Sequence, residues 1–271
     1  MIMTEKLDEI DIDVEKKTPE ATPYAGAIPF MQMCKGMGLP DIINKNLNIR
    51  GLKGYTDADH ILSMVTMQVL GGSTIDDLAT LRQNLEVKAS PFRIPSPTAA
   101  RSFMLHFHNE EEVAKQKQGQ SYIPQMNEHL EGFDAIHAYV FQQAYKFKPL
   151  DSITLDQDAT FIPTSNKNAL INYKGEKAYE SFNTYCFEYD IVVGTQLRDG
   201  NVTPGYGQLE ELKRVLATVP EGVEKVTLRS DTAGYQETIL RYCAEGKNER
   251  FGKIGLTVSC KSLSKISLEP A

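Results

Sequence analysis

Apolar positions recur at helical spacing from about Gly26 to Asn109. Thr56-Asp57-Ala58-Asp59 reads as the N-terminal cap of a helix carrying Ile61, Leu62, Val65, Met67, Val69 and Leu70, and Gly71-Gly72 ends it. Ser73 or Thr74 caps a second helix with Ile75, Leu78, Ala79 and Leu81 on one stripe. Ser96-Pro97-Thr98 opens a third, with the proline in the first turn, where its missing N–H costs nothing. The helical pattern continues as Glu110 to Gln118 and Tyr122 to Tyr145, with Gly132 as a point of interruption.

Near Pro149 the period changes from helical to alternating. Ile153, Leu155, Ala159 and Phe161 fall on one side of a strand, and Thr154, Asp156, Asp158 and Thr160 on the other. Phe182 to Tyr189 and Ile191 to Leu197 predict two more strands, turning at Glu188-Tyr189-Asp190. A helix over Gln208 to Val219, a strand over Val223 to Ser230, a helix over Ala233 to Glu245 and a strand over Ile254 to Cys260 follow. Three meandering strands followed by alternating helix and strand is the layout of a ribonuclease-H-like fold, a mixed α/β sheet with flanking helices, here preceded by an all-α region. The expected organisation is an arm without fixed structure over 1–22, a helical DNA-binding or dimerisation region over 23–148, and a partial ribonuclease-H-like catalytic domain over 149–271. The arm ends in Thr-Pro-Glu-Ala-Thr-Pro and carries few aromatics.

Composition narrows the function classes. No apolar run reaches the roughly 18 residues of a membrane span, and the acidic N-terminus has no signal-peptide core, which predicts a cytoplasmic protein. Cys34, Cys186, Cys243 and Cys260 are scattered without a CxxC, as expected of reduced thiols. The formal charge is −7, of which −4 arises from seven acids and three lysines in the first twenty residues. That leaves nucleic-acid binding to local basic patches. Arg93 and Arg101 could touch phosphate if the three short helices form a helix-turn-helix reader; a plain helical bundle fits the same pattern.

The chemistry concentrates where strands end in acids. Asp158 lies on the first strand and Asp231 just past the fourth, the two places at which this fold carries its acidic residues. Carboxylates on neighbouring strands can hold paired divalent cations for phosphodiester chemistry. Asp156, two residues from Asp158 on the same strand face, is either a ligand or a partner of one. Arg229 and Arg198 could contact phosphate or pair with acids. Gly200, Gly205 and Gly207 are better explained by turns than by a phosphate loop.

The segments Leu155-Asp-Gln-Asp-Ala-Thr160, Tyr173-Lys-Gly-Glu-Lys-Ala-Tyr179, Leu197-Arg-Asp-Gly-Asn201 and Leu228-Arg-Ser-Asp-Thr-Ala-Gly-Tyr235 resemble those of IS1380-type insertion-sequence transposases, within the IS4-like DDE group. The resemblance runs from about residue 25 to residue 260. It implies a nuclease and strand transferase using Mg²⁺ or Mn²⁺, with Asp158 and Asp231 catalytic and metal-bound. It also implies double-stranded DNA as partner (terminal inverted repeats and target), a homodimer on that DNA, and a bacterial, nucleoid-associated location. In that group a third acid, a glutamate in a Tyr-x-x-Arg-x-x-x-Glu motif, lies on a later helix. No such motif occurs in the 40 residues after Asp231, and Glu269, beside the terminal Pro270-Ala271, lacks a helix behind it. The sequence therefore reads as a C-terminally truncated transposase without the closing helix. Its alternative role is that of an inactive DNA-binding inhibitor of the full-length enzyme.

Overall fold

The computed structural model describes residues 23–49, 54–85 and 90–259. The expected arm over 1–22, Cys260 and Glu269 lie outside them. Contacts divide the chain into two compact units. The helical unit comprises the described residues up to Asn109 together with Met126–Ile136; the sheet unit comprises Glu110–Gln125 and the residues from His137 onward.

The helical unit holds α1 (Ala27–Gly36), α2 (Leu39–Leu47), α3 (Asp57–Val69), α4 (Asp77–Leu85) and α5 (Pro97–Met104). Its core gathers Met31, Cys34, Ile43, Leu47, Leu62, Leu78, Leu81 and Phe103. A capping box starts α3: the Asp59 amide donates to Thr56 Oγ1 (3.0 Å), and the Thr56 amide donates to Asp59 Oδ2 (2.8 Å). At α4 the expected cap is inverted. Neither Ser73 nor Thr74 caps the helix; Asp77 instead accepts from both of their amides at 2.9 and 2.8 Å, because a first-turn carboxylate can reach back to donors the helix leaves unpaired.

In the sheet unit, α6 spans Glu110–Lys115 and is followed by an irregular segment, so the helix expected from Tyr122 begins later. It is α7, Glu128–Phe147, whose residues up to Ile136 belong to the helical unit. Pro124 has no amide to continue a helix, and the Asn127 side chain caps the real start by accepting from the Leu130 amide at 2.9 Å. The helix runs unbroken through Gly132, since a Cβ there would lie 2.4 Å from the Asn46 carbonyl oxygen. Close backbone approach, not interruption, explains that glycine.

The sheet itself comprises β1 (Ser152–Pro163), β2 (Ala178–Cys186), β3 (Ile191–Asp199), β4 (Lys225–Ser230) and β5 (Gly255–Val258), with α8 (Gln208–Leu216) before β4 and α9 (Glu237–Ala244) before β5. Strand order is β3-β2-β1-β4-β5. The β1–β2 and β2–β3 pairs are antiparallel, while β1–β4 and β4–β5 are parallel. This is the ribonuclease-H-like arrangement. Ile153, Leu155, Cys186, Val193 and Leu228 form one core with Leu212, Val215 and Leu216 of α8 and Ile239 and Cys243 of α9. A Cβ on Gly194 would meet Val215 at 2.5 Å, so glycine lets α8 lie close against β3. Burial pushes the Cys186 and Cys243 thiols up to about 11, which keeps them protonated and unreactive. The opposite sheet face is largely polar but leaves Ile162, Val192 and Leu197 exposed, Leu197 at 65%. No helix among the described residues is long and apolar enough to cross a membrane.

Candidate active site

Register decides the site. In the parallel β1–β4 pair, Asp156 lies opposite Arg229 and Gln157 opposite Ser230. Asp158 and Asp231 each follow the last residue paired between β1 and β4, so the chain brings them to one end of these parallel strands. Asp231 keeps an extended backbone, and its Oδ1 accepts from the Ala233 amide at 2.9 Å, capping a short 3-10 turn over Thr232–Gly234. Asp158 is exposed, with Thr160 Oγ1 at 3.4 Å. Beyond Ser230, β1 continues without β4 beside it. In that step lies a cavity of about 350 Å³ whose lining includes both aspartates. Ligands of open α/β sheets gather at the carboxyl ends of parallel strands, where such a step opens.

The remaining candidates divide sharply. Asp156 does not line the cavity; both its oxygens accept from the Arg229 guanidinium, which also lies over the Phe187 ring at 4.9 Å. Of the two readings left open for Arg229, the structure realises pairing with an acid. For Arg198 too the structure realises pairing with an acid, and its burial removes it from phosphate contact. It is fully buried, stacked on Phe182 at 4.0 Å, and donates to Gln196 Oε1 (2.8 Å), the Pro204 carbonyl (3.3 Å) and Glu180 Oε1 (3.5 Å). An inward position on β3 gives a long cation no route to solvent. In the helical unit, Arg93 pairs with Asp59 at 3.3 Å and lies over Tyr55, while Arg101 pairs with Asp76 at 2.6 Å on the surface.

Sequence reasoning missed the buried polar groups next to the cavity. Glu180 is completely inaccessible, and its carboxyl is pushed up to about 7 by burial; Arg198 opposes that shift and the Asp158 charge adds to it. Gln157 Nε2 donates to Thr184 Oγ1 at 3.2 Å, and Gln208 Nε2 to Ser230 Oγ at 3.0 Å. A signal for Glu180 existed. It stands at an inward parity of β2, but the expected strand began at Phe182, two residues too late to include it. Glu237 and Glu245 face outward on or after α9 in pairs with Arg241, and Glu245 also with Lys247.

The family model of the transposase DDE domain group 1 matches residues 5–261. The chain belongs to this transposase DDE domain family. Solved structures of Mos1 transposase are also similar. The paired-end complex with left transposon end is 16% identical, with a TM-score of 0.26, over 77% of this chain and 60% of that one. The strand transfer complex is 14% identical, with a TM-score of 0.24, over 79% and 61%. The chain thus spans about 60% of the length of these structures. No curated protein matches it. Within the DDE domain, Asp158 and Asp231 are acids that share one cavity; among the described residues no group of three metal-ligating side chains is gathered.

Proposed function

We propose that this DDE domain acts on DNA as an IS1380-type transposase, with Asp158 and Asp231 as its catalytic, metal-holding pair. The observation that carries the reading is the parallel β1–β4 register, which sets the two acids side by side at the mouth of one cavity. The donor set suits a hard divalent cation. Both carboxylates are exposed, their hydrogen bonds leave oxygens open, and Mg²⁺ retains several waters, so few protein ligands are needed. Mn²⁺ fits the same oxygens. When bound, such ions activate a water or 3′-hydroxyl and stabilise the leaving oxygen of an in-line displacement. The protein's own part is placement. Asp158 is fixed by the sheet and Asp231 by its cap on Ala233, while the Asp156–Arg229 pair joins the two strands one step back. That pair makes Asp156 a support for the site rather than its third ligand.

The substrate of this reading is the terminal inverted repeats of an insertion sequence, whose 3′ ends are joined to target DNA. The helical region over 23–148 would bind DNA or dimerise, and the protein would act as a homodimer at the bacterial nucleoid. Arg93, Arg101 and Arg229 keep partly exposed guanidinium groups for phosphate contacts. Among the described residues no third acid joins the pair, so these two carboxylates are expected to bind metal and repeat DNA without cutting on their own. The cavity's pair of acids, rather than a trio, also motivates a second reading, an inhibitor that occupies the repeats. Both predict Mn²⁺ binding, measured by electron paramagnetic resonance, that Asp231→Asn weakens by on the order of 100-fold or more. Absence of Mn²⁺ binding would overturn the site. Cleavage of a repeat duplex by the purified chain, abolished by Asp231→Ala, would overturn the inhibitor reading and leave the transposase.

A further inference from the structure

The motif Tyr173-Lys-Gly-Glu-Lys-Ala-Tyr179 has no part in the metal pair, yet its first two residues line the same cavity as Asp158 and Asp231. Tyr173 is 73% exposed and meets Phe161, three residues beyond Asp158 on β1, edge to face at 5.4 Å and 66°. The Lys174 ammonium lies 5.7 Å from the centroid of each ring. A large aromatic so exposed calls for an explanation when the backbone beneath it is firmly held.

The turn is held from three sides. Asn172, itself buried, accepts from the Lys174 and Glu176 amides at 2.9 and 3.0 Å through one side-chain oxygen. Gly175 adopts a φ of 82°, which favours glycine, and its amide donates to the Asn172 carbonyl at 3.0 Å. Gln118 grips the backbone of Ile171 on both sides, accepting from its N–H at 2.8 Å and donating to its carbonyl at 3.0 Å. The aromatic and the cation are therefore presented in a preset position, so that little ordering entropy is lost when something binds.

We infer that the Asn172–Lys177 turn is a clamp for one DNA strand, with a base stacked on Tyr173 and the adjoining phosphate on Lys174. The inference rests on the proposed function for the direction in which the strand runs, toward Asp158 and Asp231. The chemistry selects this occupant. Two exposed carboxylates repel a polyanion, and a cation at the rim offsets that repulsion. An aromatic face accepts any base, because every base has a π face. A peptide from a partner or a second copy would need apolar depth, whereas this rim offers one ring and one charge.

The test uses the full chain and a fluorescein-labelled oligothymidylate of about twelve residues, a length within the usual single-strand site size. Titrations in EDTA keep metal out of the measurement. Tyr173→Ala should weaken binding by about tenfold or more, the scale of a lost base–aromatic stack. Tyr173→Phe keeps the ring face and should stay within about twofold of the parent. Lys174→Gln should make the salt dependence shallower by about 0.7, one single-strand phosphate contact. No binding by the parent in EDTA, an unaffected Tyr173→Ala, or a Tyr173→Phe as weak as the alanine variant would each overturn the clamp. So would a change in sedimentation of Tyr173→Ala without DNA, which would mark a protein interface. Failure of the metal reading appears separately, as absent Mn²⁺ binding by the parent chain.

Discussion

Asp59 on α3 of the helical unit and Asp158 on β1 of the sheet unit are both acids on a regular element beside a compact core, and they are used in opposite ways. Asp59 is buried and takes the Thr56 amide, the Arg93 amide at 2.9 Å and the Arg93 guanidinium at 3.3 Å. It closes a helix cap and ties the 90–94 loop to α3. Asp57 and Asp77 work likewise, accepting backbone amides from Ile49 and from Ser73 and Thr74. Asp158, by contrast, is exposed, and among the described residues it accepts from no backbone amide, only from the Thr160 hydroxyl at 3.4 Å. An acid engaged by several amides is structural; an acid held in place by its strand, with oxygens left open, is available for a ligand.

The sharpest way to break this contrast is Asp59→Ala. It removes a capping box and leaves the Arg93 amide without its partner, so stability should fall by about 2–3 kcal/mol, read from urea denaturation. A loss below roughly 0.5 kcal/mol would show that Asp59 is no more structural than a surface acid.

Gly132→Ala comes next. Helix propensity alone would make alanine better by up to about 1 kcal/mol. The 2.4 Å approach of a Cβ to the Asn46 carbonyl should reverse that sign and destabilise by about 1–2 kcal/mol. A stabilised variant would mean that α7 can move away from α2 at little cost.

Glu180 provides the pH test. Its folded pKa, about 7, lies above its ordinary value of 4.5, so the folded state binds more protons than the unfolded one between those values. The contribution is fully present below pH 4.5 and is lost as pH rises through about 7, a change of about 3 kcal/mol. Glu180→Gln should flatten that part of the stability–pH profile. An unchanged slope would assign the titration to another group.

The smallest effect should come from Asp158→Asn. Its melting curve should stay within about 0.5 kcal/mol of the parent, even though Mn²⁺ binding is lost. A large destabilisation would place Asp158 among the structural acids and end the comparison.

What the sequence determined by itself was local. Alternation placed Asp156, Asp158 and Thr160 on one strand face, and the order of periods named the ribonuclease-H-like layout before any strand was paired. Helix starts at Thr56 and Ser96 were legible because a cap depends on residues only a few positions away. Tertiary structure decided the rest, because parity says which side a residue faces but not which strand lies beside it. The Asp156–Arg229 pair, the shared cavity of Asp158 and Asp231, and the burial of Arg198 against Glu180 depend on register between distant segments. Such long-range pairing follows from how the whole sheet and its helices close over the core, so no window of sequence contains it.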